Sequence, residues 1–202
     1  MQWSAYVSGI VHGYLGGQAG ASAMVNMLTG KVCPSGKLNE TYPYYYKDTP
    51  AYNYYPSKER SSEYRESLYV GYRYYSTVGK KVRYPFGYGL SYTTFEYSNF
   101  SVSEDGVVFA IKNTGAVKGT ETAQLYIGKK SDTVFRPIRE LKGFKRVTLE
   151  PGEQKFVSIA FDDKSFRFYD IRTDSWEIET GNYDIMIGKN ADEIVLKGEL
   201  WV

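Results

Sequence analysis

From Asn99 onward apolar and polar residues alternate in short runs, the period of a strand that buries one face. The alternation is clearest in Ala123, Leu125 and Ile127, in Val157, Ile159 and Phe161, and in Ile185 and Ile187. Strands are expected near 99–103, 106–112, 121–128, 142–149, 154–161, 165–170, 175–179, 183–188 and 194–201. Turn clusters separate them: Glu104-Asp105-Gly106, Asn113-Thr114-Gly115, Glu150-Pro151-Gly152 and Thr180-Gly181-Asn182. The pattern predicts an antiparallel β-sandwich over residues 99–202.

The first half follows no such period. Residues 1–41 read as part of an α/β layer. Ala19 to Leu28 predicts a helix, with Met24, Met27 and Leu28 on one face and Gly30 where a left-handed cap belongs. Val7, Ile10, Val11, Tyr14 and Leu15 are apolar at helical or short-strand spacing, and Pro34-Ser35-Gly36 makes a turn. One helix and a strand enclose no core, so the rest of this layer is expected outside the chain. Residues 42–98 form a tyrosine-rich linker. It holds Tyr44-Tyr45-Tyr46, Tyr54-Tyr55-Pro56, a charged run from Lys58 to Glu66, and Tyr69 to Tyr75. Glu66 to Tyr75 suits a short strand or a helix. The tyrosines argue for packing, because disordered segments are poor in aromatics.

With 202 residues the chain has room for one or two domains, and 42% hydrophobic content supports a core. The 17% aromatic share is unusual and concentrated, with 16 of the 21 tyrosines between Tyr42 and Tyr97. The net charge of +2 comes without a basic run longer than two residues. Nucleic acid is therefore not an expected partner, since neutralising phosphates takes a clustered basic face. No apolar stretch reaches the roughly 18 residues of a membrane span, so no membrane partner is expected. Met1-Gln2-Trp3 opens no signal peptide, and a cytoplasmic location is the expectation. The single cysteine, Cys33, allows neither an intrachain disulfide nor a cysteine-cluster metal site.

The most specific stretch is Tyr-Pro-Phe-Gly-Tyr-Gly-Leu-Ser-Tyr-Thr-Thr-Phe-Glu-Tyr, residues 84–97. Pro85 fixes φ, Gly87 and Gly89 permit positive φ, and the aromatics demand burial, so one irregular path is specified. With Glu66-Ser67-Leu68-Tyr69-Val70-Gly71-Tyr72-Arg73-Tyr74-Tyr75 upstream, this run resembles the bacterial β-glucosidases of glycoside hydrolase family 3. Gly16-Gly17-Gln18-Ala19-Gly20 and Gly30 to Leu38 are similar to the end of that family's α/β sandwich domain. Asn113-Thr114-Gly115, Arg139 to Phe144 and Leu149 to Glu153 are similar to landmarks of its terminal fibronectin type III-like domain. The resemblance implies a mainly β chain. A partial α/β sandwich remnant (1–41) and a linker (42–98) precede a fibronectin type III-like, immunoglobulin-like sandwich (99–202).

It also implies a function: the non-catalytic C-terminal portion of a retaining, exo-acting β-glucosidase, bracing the catalytic domains and shaping the rim of the aglycone site. The partners implied are the (β/α)-barrel and the remaining sandwich of the same enzyme, and through them a β-linked saccharide. No cofactor is implied. A stand-alone carbohydrate-binding or interaction module is the competing reading. Retaining hydrolysis takes two carboxylates about 5 Å apart. The family's nucleophile Asp and acid/base Glu lie in motifs without a match here, so no catalytic residue is expected. Glu63 and Glu66, three apart, would share a face if helical, but beside Arg60 and Arg65 they suit surface pairs. Glu66 falls in Tyr64-Arg65-Glu66-Ser67-Leu68, similar to the family's Tyr-x-Glu-Gly-Ile, with Ser67 in place of Gly. Glu66, read as a structural hydrogen-bonding carboxylate, and Tyr69 are the candidates for substrate contact. His12 lacks partners for a metal site or triad, and no metal is expected. Gly16, Gly17 and Gly20 do not satisfy a dinucleotide-binding pattern. The aromatic stretch is a sugar platform or a buried junction, and burial is favoured. Trp3, Trp176 and Trp201 are too scattered in sequence to suggest a platform.

Overall fold

The computed structural model of the protein describes residues 2–57, 60–131 and 133–202; Lys58, where the charged run opens, lies outside the described residues. Strands β1 (Phe95–Ser103), β2 (Gly106–Asn113) and β5 (Gln154–Ala160) form one antiparallel sheet in the order β1-β2-β5. Strands β3 (Gly119–Gly128), β4 (Glu140–Leu149), β8 (Asn182–Gly188) and β9 (Ile194–Trp201) form the other, in the order β4-β3-β8-β9. A hairpin of β6 (Phe168–Asp170) and β7 (Ser175–Glu177) sits between β5 and β8 in sequence. The arrangement is the expected β-sandwich.

Its core follows from the alternation. Phe109 and Ile111 from β2, Leu125 from β3, and Ile185 and Ile187 from β8 are completely buried between the sheets. Gly143 lies where an added Cβ would come within 2.8 Å of Ile159 Cγ2, so a larger residue would push the sheets apart. The first strand begins four residues earlier than the pattern suggested. A bulge between Ser98 and Ser101, with Asn99 at φ 53°, shifts the phase: Phe95 and Tyr97 face the core before it, Phe100 and Val102 after it.

The turn after β2 is held by a buried amide. Asn113 Oδ1 accepts from Thr93 Oγ1 (2.6 Å) and Gly115 N (3.1 Å), while its Nδ2 donates to Val117 O (2.8 Å) and Leu149 O (3.1 Å). Thr93, before β1, is thereby part of the sandwich.

Residues 2–41 hold one α-helix among the described residues, α1 (Gly20–Leu28), closed by Gly30 at φ 75°. Val7 to Leu15 adopt neither helix nor strand: a 3₁₀ turn covers 2–6, and irregular backbone follows. Helix α1 buries no residue, and Tyr6, Leu15 and Leu28 are largely exposed. Apolar spacing therefore gave the wrong local structure here, and the side chains it marks are exposed.

Candidate functional site at the aromatic junction

The tyrosine-rich segment divides in two. From Tyr72 to Tyr97 the aromatics other than Tyr92 are buried or half-buried, whereas Tyr44, Tyr45, Tyr46, Tyr52, Tyr54 and Tyr55 are exposed. Burial, the favoured expectation for the whole segment, therefore holds for its second part alone. Residues 38–42 run alongside 84–88 as a two-rung clasp, with Leu38 N donating to Tyr88 O (2.8 Å), Gly87 N to Leu38 O (2.7 Å) and Tyr42 N to Tyr84 O (2.8 Å). The clasp fixes the path of Pro85-Phe86-Gly87. Gly87 has φ 79°, and a Cβ on it would stand 2.1 Å from the side chain of Gln124. Gly89 meets the backbone of Gly36 as tightly, an added Cβ lying 2.2 Å from Gly36 O. Both glycines are demanded by close approach.

Gln124 and Tyr126 point from β3 away from the sandwich core, toward this loop. Gln124 Nε2 donates to Gly87 O (3.1 Å) and Lys189 O (2.7 Å), and Tyr126 OH donates to Gln124 Oε1 (2.6 Å). Tyr126 is fully buried, with Tyr72 and Phe86 packed over it in a second apolar cluster that includes Met186 and Ala191. Burial drives the Tyr126 hydroxyl well above the usual phenol range. Lys37 and Glu121 close the junction with a shielded ion pair at 2.9 Å. Sequence alternation had singled out Ala123, Leu125 and Ile127 on this strand and left Gln124 and Tyr126 without a role. The signal missed was a polar residue able to satisfy two loop carbonyls beside an aromatic.

Helix α2 (Tyr72–Thr77) begins after Gly71 at φ 55°, so the 66–75 run is a turn followed by a short helix. Glu63 lies outside any helix, and its carboxylate pairs with Arg65 Nε at 2.6 Å on the surface. Ser67 takes φ 49°, a left-handed conformation that glycine adopts without strain. Glu66 is half-buried, and its carboxylate makes no hydrogen bond or ion pair among the described residues. Tyr69 is an anchor: its OH donates to Phe135 O (2.9 Å) and its ring stacks on Phe135 at 5.2 Å.

Of the remaining candidates, His12 lies on the surface. His12 contacts the ring of Tyr14, centroids 3.8 Å apart, and its Nδ1 lies 3.1 Å from Tyr42 OH, which also donates to Glu40 at 2.9 Å. Cys33 is half-buried, its Sγ 3.2 Å from Ser91 Oγ. No group of three or more His, Cys, Asp or Glu able to hold a metal occurs among the described residues. No helix there is long and apolar enough to cross a membrane.

The junction and the sandwich coincide with two family models. Residues 1–92 match the glycosyl hydrolase family 3 C-terminal domain, and 121–191 a fibronectin type III-like domain. Thermostable beta-glucosidase B of Acetivibrio thermocellus is 42% identical over 98% of this chain, which covers 27% of that relative. An exo-alpha-(1->6)-L-arabinopyranosidase of Bifidobacterium breve is 39% identical over 95% of the chain, covering 26% of its own length. The crystal structure of a family 3 beta-glucosidase from Bifidobacterium adolescentis superposes with a TM-score of 0.94 at 35% identity, over all of this chain and 31% of that one. The chain thus spans about a quarter of the length of the curated relatives it matches. It belongs to glycoside hydrolase family 3, in which it corresponds to the non-catalytic C-terminal region.

Proposed function

We propose that the chain works as the structural end of a retaining, exo-acting β-glucosidase, bracing the catalytic domains rather than supplying catalytic groups. The single observation that carries this is the uncovered apolar surface of residues 3–32. Trp3, Tyr6, Leu15, Val25, Leu28 and Val32 are more than half exposed, in a segment with almost no buried side chain. A free soluble module rarely shows such a surface, which argues against the stand-alone reading. The rest of an α/β sandwich and a (β/α)-barrel would cover it. On this reading residues 1–41 complete the sandwich, 42–92 tie it to the β-domain, and the β-domain starts with Thr93. The exposed tyrosines between 44 and 55, with the Glu66 carboxylate that is unpaired among the described residues, would meet the same neighbours and shape the rim of the aglycone site. The substrate proposed is a terminal β-linked sugar, hydrolysed without a cofactor by carboxylates outside this chain.

The test is nitrophenol release from aryl β-glycosides by the purified chain, alone and co-expressed with a polypeptide carrying the barrel and the preceding sandwich of a relative. Activity is expected in the pair only. Turnover by the chain alone, lost in Glu66→Gln, would overturn the reading and make Glu66 catalytic.

A further inference from the structure

Strand β4 carries a Phe on its outer face. Phe144 pairs with Gln124 of β3, and directly opposite residues of an antiparallel pair share a face. Gln124 turns its amide outward to the Gly87 loop, so Phe144 stands on that face too, while Gly143 looks inward at Ile159. The rest of this face is covered. On one side of Phe144, past the bulge opposite Leu125 and Tyr126, Leu141 packs into the Tyr126 cluster, and its amide donates to Tyr72 OH (2.8 Å). On the other side Arg146 donates from Nη2 to Ser35 Oγ (2.7 Å). Across the ladder Gln124 is 3% exposed. Phe144, in the middle, is 64% exposed.

A single apolar residue on an open surface needs no explanation. Phe156 is such a residue: it is 68% exposed on the outer face of the other sheet, and its strand neighbours Gln154 and Ser158 are exposed as well. Phe144 differs in its setting, because the residues around it are already engaged in the junction between the β-domain and the segments before it. Strand β4 is also the outermost of its sheet, so an approach to Phe144 from that edge meets no further strand.

The neighbouring contacts name the occupant. Residues 27–35 reach the β-domain and the loop before it at three points: Tyr92 OH donates to Met27 O (3.0 Å), Cys33 Sγ lies 3.2 Å from Ser91 Oγ, and Ser35 meets Arg146. In the same stretch Leu28 and Val32 are more than half exposed, part of the apolar surface assigned above to the rest of the α/β sandwich. Arg146 and Phe144 are two residues apart on one face of β4, about 7 Å. Phe144 therefore continues that apolar surface onto the β-domain, next to an existing contact. We propose that Phe144 is the anchor by which the β-sandwich docks directly on the remainder of the α/β sandwich, its ring seated among apolar side chains of that domain. The proposal rests on the reading of the chain as the structural end of a hydrolase. It adds that the β-domain touches the sandwich itself, at β4, and is not held through residues 1–92 alone.

The test co-expresses the 202-residue chain with a tagged polypeptide carrying the barrel and preceding sandwich of a relative, and reads the dissociation constant of the purified pair by sedimentation over a dilution series. Phe144→Ala should weaken the pair about tenfold or more, the size of effect that marks an interface anchor. Phe144→Leu should restore most of the loss, and Phe156→Ala should leave the constant unchanged. Because Phe144 is exposed in the chain alone, the urea midpoint of the isolated Phe144→Ala chain should match that of the parent. A Phe144→Ala pair as tight as the parent pair, an equal weakening by Phe156→Ala, or a lowered midpoint in the isolated variant would each overturn the proposal and leave the reading beneath it standing. A parent chain that forms no complex would overturn both.

Discussion

Replacing Asn113 by Ala should be among the most damaging single changes in the β-domain. The side chain is completely buried and joins four partners: the Thr93 hydroxyl, the Gly115 amide, and the carbonyls of Val117 and Leu149. Each hydrogen bond contributes about 1 kcal/mol net, and a buried group left unpaired costs about 1–3 kcal/mol. Some partners will recover water, so a loss of about 3–4 kcal/mol is expected, against a total stability of roughly 5–15 kcal/mol for a small domain. In urea, with a slope of about 1–3 kcal/mol per M, the midpoint should fall by roughly 1–4 M. Asn113→Asp divides the network. It keeps the acceptor for Thr93 and Gly115 and removes the donors to Val117 and Leu149, so at neutral pH it should still cost about 2 kcal/mol or more. Thr114→Ala is the control, because its hydroxyl meets only the exposed Thr94 hydroxyl, and a change under about 0.5 kcal/mol is expected. The assay is urea unfolding followed by fluorescence and circular dichroism. An Asn113→Ala midpoint indistinguishable from that of Thr114→Ala would refute the reasoning.

A polypeptide of residues 93–202 should melt cooperatively while residues 1–60 alone stay largely unfolded, since only the former encloses a core; dispersed NMR resonances from 1–60 would contradict this. Gly87→Val should cost about 2 kcal/mol or more by urea unfolding, because φ 79° is strained for Val and its Cβ would strike Gln124. Phe86→Ala should cost about 2 kcal/mol, less than for a fully buried Phe, because the ring is only half-buried over Tyr126. Burial opposes the Glu179 carboxylate, yet hydrogen bonds from Ser131, Arg136 and Thr133 outweigh it and hold its pKa below the usual value. Its stabilising effect is thus present at neutral pH and lost as pH falls below about 4. The stability gap between the parent and Glu179→Gln should therefore shrink on acidification.

The β-domain was legible because its signal is local. Alternation along β3, β5 and β8 and the Gly-containing turns are properties of adjacent residues, and the strands lie close to where those patterns end. The errors fall where a second influence crosses the pattern. In β1, the bulge at Asn99 reverses the phase of alternation, so a reading that kept one phase began the strand at the bulge and left Phe95 and Tyr97 in the linker. In β3 the outer face is as buried as the inner, because Gln124 and Tyr126 meet the Gly87 loop and Tyr72, partners 37 and more residues away. Neighbouring residues carry no record of such a meeting.

The candidate site was least legible for the same reason. Glu66 and Tyr69 looked alike in their motif, yet Tyr69 is spent on Phe135 while the Glu66 carboxylate finds no partner among the described residues. The apolar spacing of Val7 to Leu15 suggested a helix or a short strand, yet neither forms and these side chains remain in water here. A sequence encodes which faces must be covered more directly than what covers them. The groups left unsatisfied among the described residues, an apolar face and the Glu66 carboxylate, are accordingly where its interactions should be sought.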